Sequence, residues 1–157
     1  MNLKPIGIIH TPFTKTEEMP IQPSGAVGTK GVVEIFDQFQ DGLKDLDGFS
    51  HIILIYSFHR SQGYDLEVTP FLDTKSHGVF ATRAPKRPNP IGLSIVRLEY
   101  IDNGNLYVQN IDVLNETPIF DIKPYVPDFD SPDNVRTGWL EHSDITARTH
   151  KSDDRFS

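Results

Sequence analysis

The chain of 157 residues has no cysteine, one tryptophan and two methionines. Without cysteine there is no disulfide framework, no thiolate metal ligand and no cysteine nucleophile. Long apolar runs are also missing. The longest, residues 52–56, falls far short of the ~18 residues a membrane span requires and suits a buried strand. The amino terminus lacks a charged stretch followed by an apolar one, so no secretory signal is read and a soluble, cytoplasmic protein is expected. Basic residues are in deficit, 15 against 22 acids, for a net charge of −7. Such a balance opposes indiscriminate attachment to nucleic acid, because phosphate contacts come from Lys and Arg. No two histidines stand at helical i, i+4 spacing, so no metal site is expected. No glycine-rich turn leads from a strand into a long helix, which leaves dinucleotide and P-loop folds unsupported. Gly92-Leu93-Ser94 lacks the strand–turn–helix setting of a serine nucleophile elbow.

What the chain does have is a series of short alternating segments. Strands are expected over 4–10, 32–36, 50–58, 65–71, 78–82, 91–101, 106–113 and 119–126. The 50–58 segment is apolar on both faces and reads as the central strand. Asn103-Gly104 between two apolar runs is a hairpin signal. One or two helical turns are expected over 41–49, with Gly48 as terminator, and one short helix near Trp139. With so little helical periodicity, the pattern predicts an all-β fold, a small antiparallel β-barrel with long loops. Residues 11–30, punctuated by Pro12, Pro20, Pro23, Gly25 and Gly28, exceed the length at which a loop in a small domain is usually incidental.

Charge is unevenly spread. Residues 78–98 contain no acid but include Arg83, Lys86, Arg87 and Arg97, whereas 126–157 hold seven acids against four basic residues. Within the basic segment, Pro85, Pro88 and Pro90 stiffen the backbone around Arg83, Arg87 and Asn89. A rigid loop with planar guanidinium forks suits an anionic ligand, since it loses little entropy on binding; a solubilising surface loop is the alternative. Alternation puts Asp121, Lys123 and Tyr125 on one strand face, either lining a cavity or forming a solvated face with an intrastrand ion pair. Gln109, Asn110, Ile111 and Asp112 end the preceding strand. Asn110 and Asp112 offer an amide and a carboxylate able to read a base edge or a ribose hydroxyl, or else to shape the turn. His59 stands at the exit of the central strand beside Arg60.

Several of these strings resemble the TrmO (TsaA-like) family of tRNA methyltransferases. The likeness begins at Ile6-Gly7-Ile8-Ile9-His10-Thr11-Pro12-Phe13 and passes through Phe58-His59, Ala81-Thr82-Arg83 and Arg87-Pro88-Asn89-Pro90-Ile91-Gly92. It ends at Asp121-Ile122-Lys123-Pro124-Tyr125. The resemblance implies a β-barrel domain over 1–127 followed by an acidic tail over 128–157. It implies a homodimer that binds S-adenosylmethionine near its interface and methylates N6 of threonylcarbamoyladenosine at tRNA position 37, without a membrane or a metal. Cofactor contacts are implied for Gln22, Pro23, His59, Arg60, Arg83, Leu93, Gln109, Asn110, Ile111 and Asp112. His59 or Asp121 is expected to take the proton, and Arg87, Asn89, Lys123 and Tyr125 are expected to meet the tRNA. A barrel that binds the same cofactor but acts on another substrate, or only senses it, is the alternative. Where family members often carry Arg before the loop glutamine, this chain has Ile21.

Overall fold

The computed structural model describes residues 1–19, 26–71 and 73–142. Six antiparallel strands close into a barrel in the order β1-β2-β7-β6-β3-β8. They are β1 (Gly7–His10), β2 (Lys30–Ile35), β3 (His51–Ser57), β6 (Ile91–Asp102), β7 (Asn105–Gln109) and β8 (Thr117–Pro124). A two-stranded ribbon, β4 (Glu67–Val68) with β5 (His77–Gly78), stands apart from it. Period-2 alternation is what fills the barrel. Ile9, Val33, Ile52, Leu54, Val96, Leu106, Val108 and Ile119 point inward and are almost wholly buried.

The expected hairpin is present. Asn103 (φ 48°) and Gly104 (φ 77°) both take left-handed conformations, as a type I′ turn requires. Glycine serves a different purpose at position 92. A Cβ there would lie 2.4 Å from the Tyr56 ring, so the bare backbone is what leaves room for that ring.

Several boundaries differ from the sequence reading. The segment read as a helical turn forms two 3₁₀ stretches, Asp37–Leu43 and Leu46–Gly48, and Asp45 between them takes the positive φ (68°). Of the expected 65–71 and 78–82 strands, only two-residue β4 and β5 pair; Val79–Ala81 turns into a 3₁₀ stretch. β7 stops at Gln109 because Asn110 turns left-handed (φ 65°) and sends the chain across the barrel. Near the carboxy terminus stand α1 (Pro127–Asp130) and a 3₁₀ stretch, Gly138–His142. Trp139 returns from there to the ribbon, donating its indole N–H to the Ala81 carbonyl (2.8 Å) and stacking on His77 at 4.8 Å.

The two barrel ends differ in kind. One is covered by the 3₁₀ stretches, whose Leu43 and Leu46 pack on the core. At the other, residues 110–116 cross the mouth, and Ile111 and Val113 plug it from above. Functional groups collect at this second end.

Candidate active site

Several loops are laced together at the open mouth. The Thr11 hydroxyl donates to the Val113 carbonyl (2.7 Å), and the Thr11 N–H to Asn115 Oδ1 (3.0 Å). Arg60 Nη1 donates to the Thr14 carbonyl (3.2 Å). The proline-rich loop is tied in by Ser61 Oγ to the Pro85 carbonyl (3.1 Å) and by the Phe58 N–H to the Pro90 carbonyl (2.7 Å). Loops that share backbone acceptors in this way present their side chains from a rigid frame.

Asp112 lies inside that frame, only 8% exposed. Its Oδ1 accepts the Ser94 hydroxyl proton at 2.6 Å, and the Ser94 oxygen lies 2.9 Å from the Tyr56 hydroxyl. Burial pushes the Asp112 carboxyl up from 3.8 to about 6, against the opposing pull of the Ser94 bond, its own backbone N–H and the positive charge of Arg83. Burial, followed by the nearby Asp112 charge, also raises Tyr56 well above the usual phenol range. Arg83 is itself exposed, yet its charge acts on both buried groups. The mouth therefore combines a desolvated carboxylate with a solvent-facing guanidinium, a donor and acceptor set for a ligand that carries both kinds of group.

His59 occupies the turn that leaves β3. Burial first, and then the charge of Arg60, hold its imidazole below the ordinary histidine value, opposed by the Ser57 carbonyl and Glu116. The Thr117 hydroxyl gives its one proton to the Leu114 carbonyl (2.7 Å), so it faces His59 Nδ1 (3.3 Å) as an acceptor. That assigns the proton to Nδ1 and leaves the lone pair of the neutral ring on Nε2, the arrangement of a base.

The other residues singled out in the sequence fall into three groups. Gln22 and Pro23 lie outside the described residues. Asn110 reaches the mouth but uses its side-chain oxygen to accept the Gly28 N–H (2.8 Å), which makes it the anchor of the loop ahead of β2. Ile111 is fully buried in the core, so only its backbone is available to a ligand. The Gln109 amide bonds Glu99 on the outer wall. Arg87 donates to the carbonyls of Thr82 (3.0 Å) and Ala84 (3.2 Å), closing its own loop, while Asn89 is exposed at the loop's far side.

Asp121, Lys123 and Tyr125 belong to a different region. Asp121 and Lys123 form an ion pair at 2.9 Å, both about half exposed, the intrastrand alternative noted from alternation. Asp121 also lines a groove of about 360 Å³ with Phe39, Leu43, Leu46 and Phe49, at the barrel end away from the mouth. Tyr125 packs edge-on against His51. Among the described residues, no hydrogen bond or ion pair joins this group to His59 or Asp112. Leu93 projects from the outer wall between Ile91 and Ile95, and all three are more than a third exposed.

Sequence reasoning gave Tyr56 no role and weighed Ser94 only as a nucleophile. The signal was available: each is a polar residue at an inward position of a strand whose other inward residues are apolar.

A match to the family described as tRNA-methyltransferase O N-terminal domain spans residues 8–131. A relative in Pyrococcus abyssi, named a "probable S-adenosyl-L-methionine-binding protein", is 52% identical over 98% of this chain and 83% of its own length. The rat tRNA (adenine(37)-N6)-methyltransferase is 35% identical over 93% of this chain. In a crystal structure of TrmO from Pseudomonas aeruginosa, the same fold superposes with a TM-score of 0.75 at 38% identity over 88% of this chain. The chain spans 37% of the rat protein and 62% of the crystallised chain. A closed antiparallel barrel with its functional groups at one mouth thus defines the class, and the chain belongs to the tRNA-methyltransferase O family.

Proposed function

We propose that the chain is an S-adenosylmethionine-dependent tRNA (adenine-N6)-methyltransferase, acting on threonylcarbamoyladenosine at position 37 to give its N6-methyl derivative. The observation that carries this reading is the joint placement of Arg83, Asp112 and His59 at one barrel mouth in a member of this family. The residues fit the cofactor by charge. A guanidinium suits its carboxylate, and the buried carboxylate and the amides at the mouth suit its hydroxyls, amines and positive sulfur.

S-adenosylmethionine supplies an electrophilic methyl carbon. Arg83 would hold the carboxylate of the ligand and Asp112 would accept one of its donor groups; positioning of this kind accounts for much of the rate in a displacement. N6 of the substrate lies between the purine ring and a carbonyl, so its proton is more acidic than that of a plain amine. With the cofactor bound, the methyl would pass from sulfur to N6 and leave S-adenosylhomocysteine behind, and His59 Nε2 would accept the N6 proton. Asp121 is the second candidate for the same role, and it reaches the reaction only from another protomer. The exposed Ile91, Leu93 and Ile95 supply an apolar wall for such a partner, and a homodimer that joins two walls puts Leu93 beside the cofactor. Asn89 and Lys123 meet the tRNA backbone, Tyr125 stacks on a base, and Arg87 holds the loop of Asn89 in shape. The barrel domain spans residues 1–127, with the acidic remainder as an accessory segment, in a cytoplasmic protein.

A second reading is favoured by the naming of the archaeal relative as a binding protein: the barrel takes up S-adenosylmethionine without transferring its methyl group. Nucleoside mass spectrometry separates the two. Incubation of the chain with S-adenosylmethionine and tRNA bearing threonylcarbamoyladenosine is expected to add one methyl mass to that nucleoside. An unmodified nucleoside from a protein that binds the cofactor establishes the second reading, and methylation of another nucleoside establishes a different substrate.

A further inference from the structure

Among the described residues, the barrel interior holds a chain of polar groups ending on Asp112, whose first two members the proposed mechanism leaves unused. Ser94 has a single hydroxyl proton and gives it to Asp112 Oδ1 at 2.6 Å, so the 2.9 Å contact with Tyr56 runs from the phenol to the serine oxygen. The order is Tyr56 O–H to Ser94 Oγ, then Ser94 O–H to Asp112. All three side chains are buried, at 5%, 1% and 8% exposure.

The first member is itself held in place. Tyr56 lies over Gly92, where a Cβ would come within 2.4 Å of the ring, and meets Phe58 edge-on with ring centres 5.7 Å apart. Phe58 adjoins His59, so the chain links the strand that leads to the base with the carboxylate across the mouth. A pair of core hydroxyls could satisfy each other with no third partner. Their termination on a carboxylate, the costliest group to bury, marks a function beyond packing.

We propose that Tyr56 and Ser94 are positioning residues of the cofactor site, acting through Asp112: the tyrosine fixes the serine hydroxyl, and the serine holds the carboxylate in one orientation so that it accepts a donor group of S-adenosylmethionine. The inference rests on the reading of the mouth as the cofactor pocket. It assigns the two hydroxyls to ligand recognition and to keeping Asp112 ionised when the ligand arrives. Arg83 is the charged group that acts on Asp112, and Tyr56 the titratable one beyond Ser94. His59, Arg60 and Glu116 at the same rim act on one another. Because the serine bond and Arg83 favour the carboxylate while burial opposes it, Asp112 gains its charge near pH 6 and binding tightens as pH rises through that value.

The test is calorimetric titration with S-adenosylmethionine from pH 5 to 8 for the wild type, Ser94→Ala and Tyr56→Phe. Carbon NMR of the Asp112 carboxyl and thermal melting are followed in the same proteins. Loss of a hydrogen bond to a charged group is expected to weaken binding about tenfold at pH 7 in Ser94→Ala, and to move both the acid limb of binding and the Asp112 titration to higher pH. Tyr56→Phe moves both the same way by less and keeps the ring packing, so it carries the test if the alanine variant does not fold. A lowered melting temperature with wild-type affinity and an unmoved acid limb would make the hydroxyls purely structural and overturn the inference. Failure of the wild type to take up the cofactor at any pH, with Asp112 still titrating near 6, would instead overturn the cofactor reading itself.

Discussion

Replacing Asp112 with asparagine isolates the cost of keeping a carboxylate inside the barrel mouth. The exchange preserves shape and leaves an oxygen to accept the Ser94 proton. In the unfolded chain this carboxyl titrates near its ordinary 3.8; in the fold, burial raises it to about 6. A raised carboxyl pKa means that folding favours the protonated form. Its contribution to stability is therefore complete below about pH 4 and is lost as pH rises through 6. Two units of displacement correspond to about 3 kcal/mol, a large part of the margin of a small domain. Urea unfolding of wild type and Asp112→Asn at pH 4, 5, 6 and 7 reads it directly. The stability of the variant relative to wild type should climb by about 2 kcal/mol between pH 4 and 6 and level off only near pH 7. A difference that stays flat, or falls as pH rises, would refute the burial and the opposing bonds assigned to this group.

Three further substitutions probe separate parts of the account. Gly92→Ala should cost about 1–3 kcal/mol by overpacking against the Tyr56 ring, measured by urea unfolding, and should weaken cofactor binding because the ring carries the hydroxyl that fixes Ser94. Arg83→Ala should weaken S-adenosylmethionine binding about tenfold or more in calorimetry through loss of a charge-assisted contact, and should raise the Asp112 titration further, since Arg83 now pulls it down. His59→Gln should slow single-turnover methyl transfer by about 10²–10⁴-fold, whereas Asp121→Asn should leave the rate near wild type; the reverse ranking would move the base to the outer wall.

Much of the barrel was legible because strand alternation is a local signal. The segments that form β3 and β6 and the left-handed pair Asn103-Gly104 needed no tertiary information, whereas the inward face of β3 did, because that segment is apolar on both faces. Ends were less legible. β7 stops where Asn110 finds a partner in Gly28, 82 residues away in sequence, and no local pattern announces such a bond. The ribbon has only two residues per strand, and Val68, Val79 and Ala84 beside it form a small cluster of their own.

At the site, residue types announced chemistry but not partners. Arg83 and Arg87 look equivalent in the proline-rich loop, yet Arg87 turns back on the Thr82 and Ala84 carbonyls while Arg83 remains exposed. Lys123 and Asp121 satisfy each other on the outer wall. Ser94 and Tyr56 were hidden by the apolar character of their neighbours, and only the closed barrel shows that they converge on Asp112.

The central claim is that the loop-laced mouth, and not the groove beneath the 3₁₀ stretches, takes the cofactor. A crystal structure of the chain with S-adenosylhomocysteine tests it most directly. The account predicts nucleoside density in contact with Arg83 and Asp112 and next to His59. Density lodged among Phe39, Leu43 and Asp121, with the mouth empty, would contradict it.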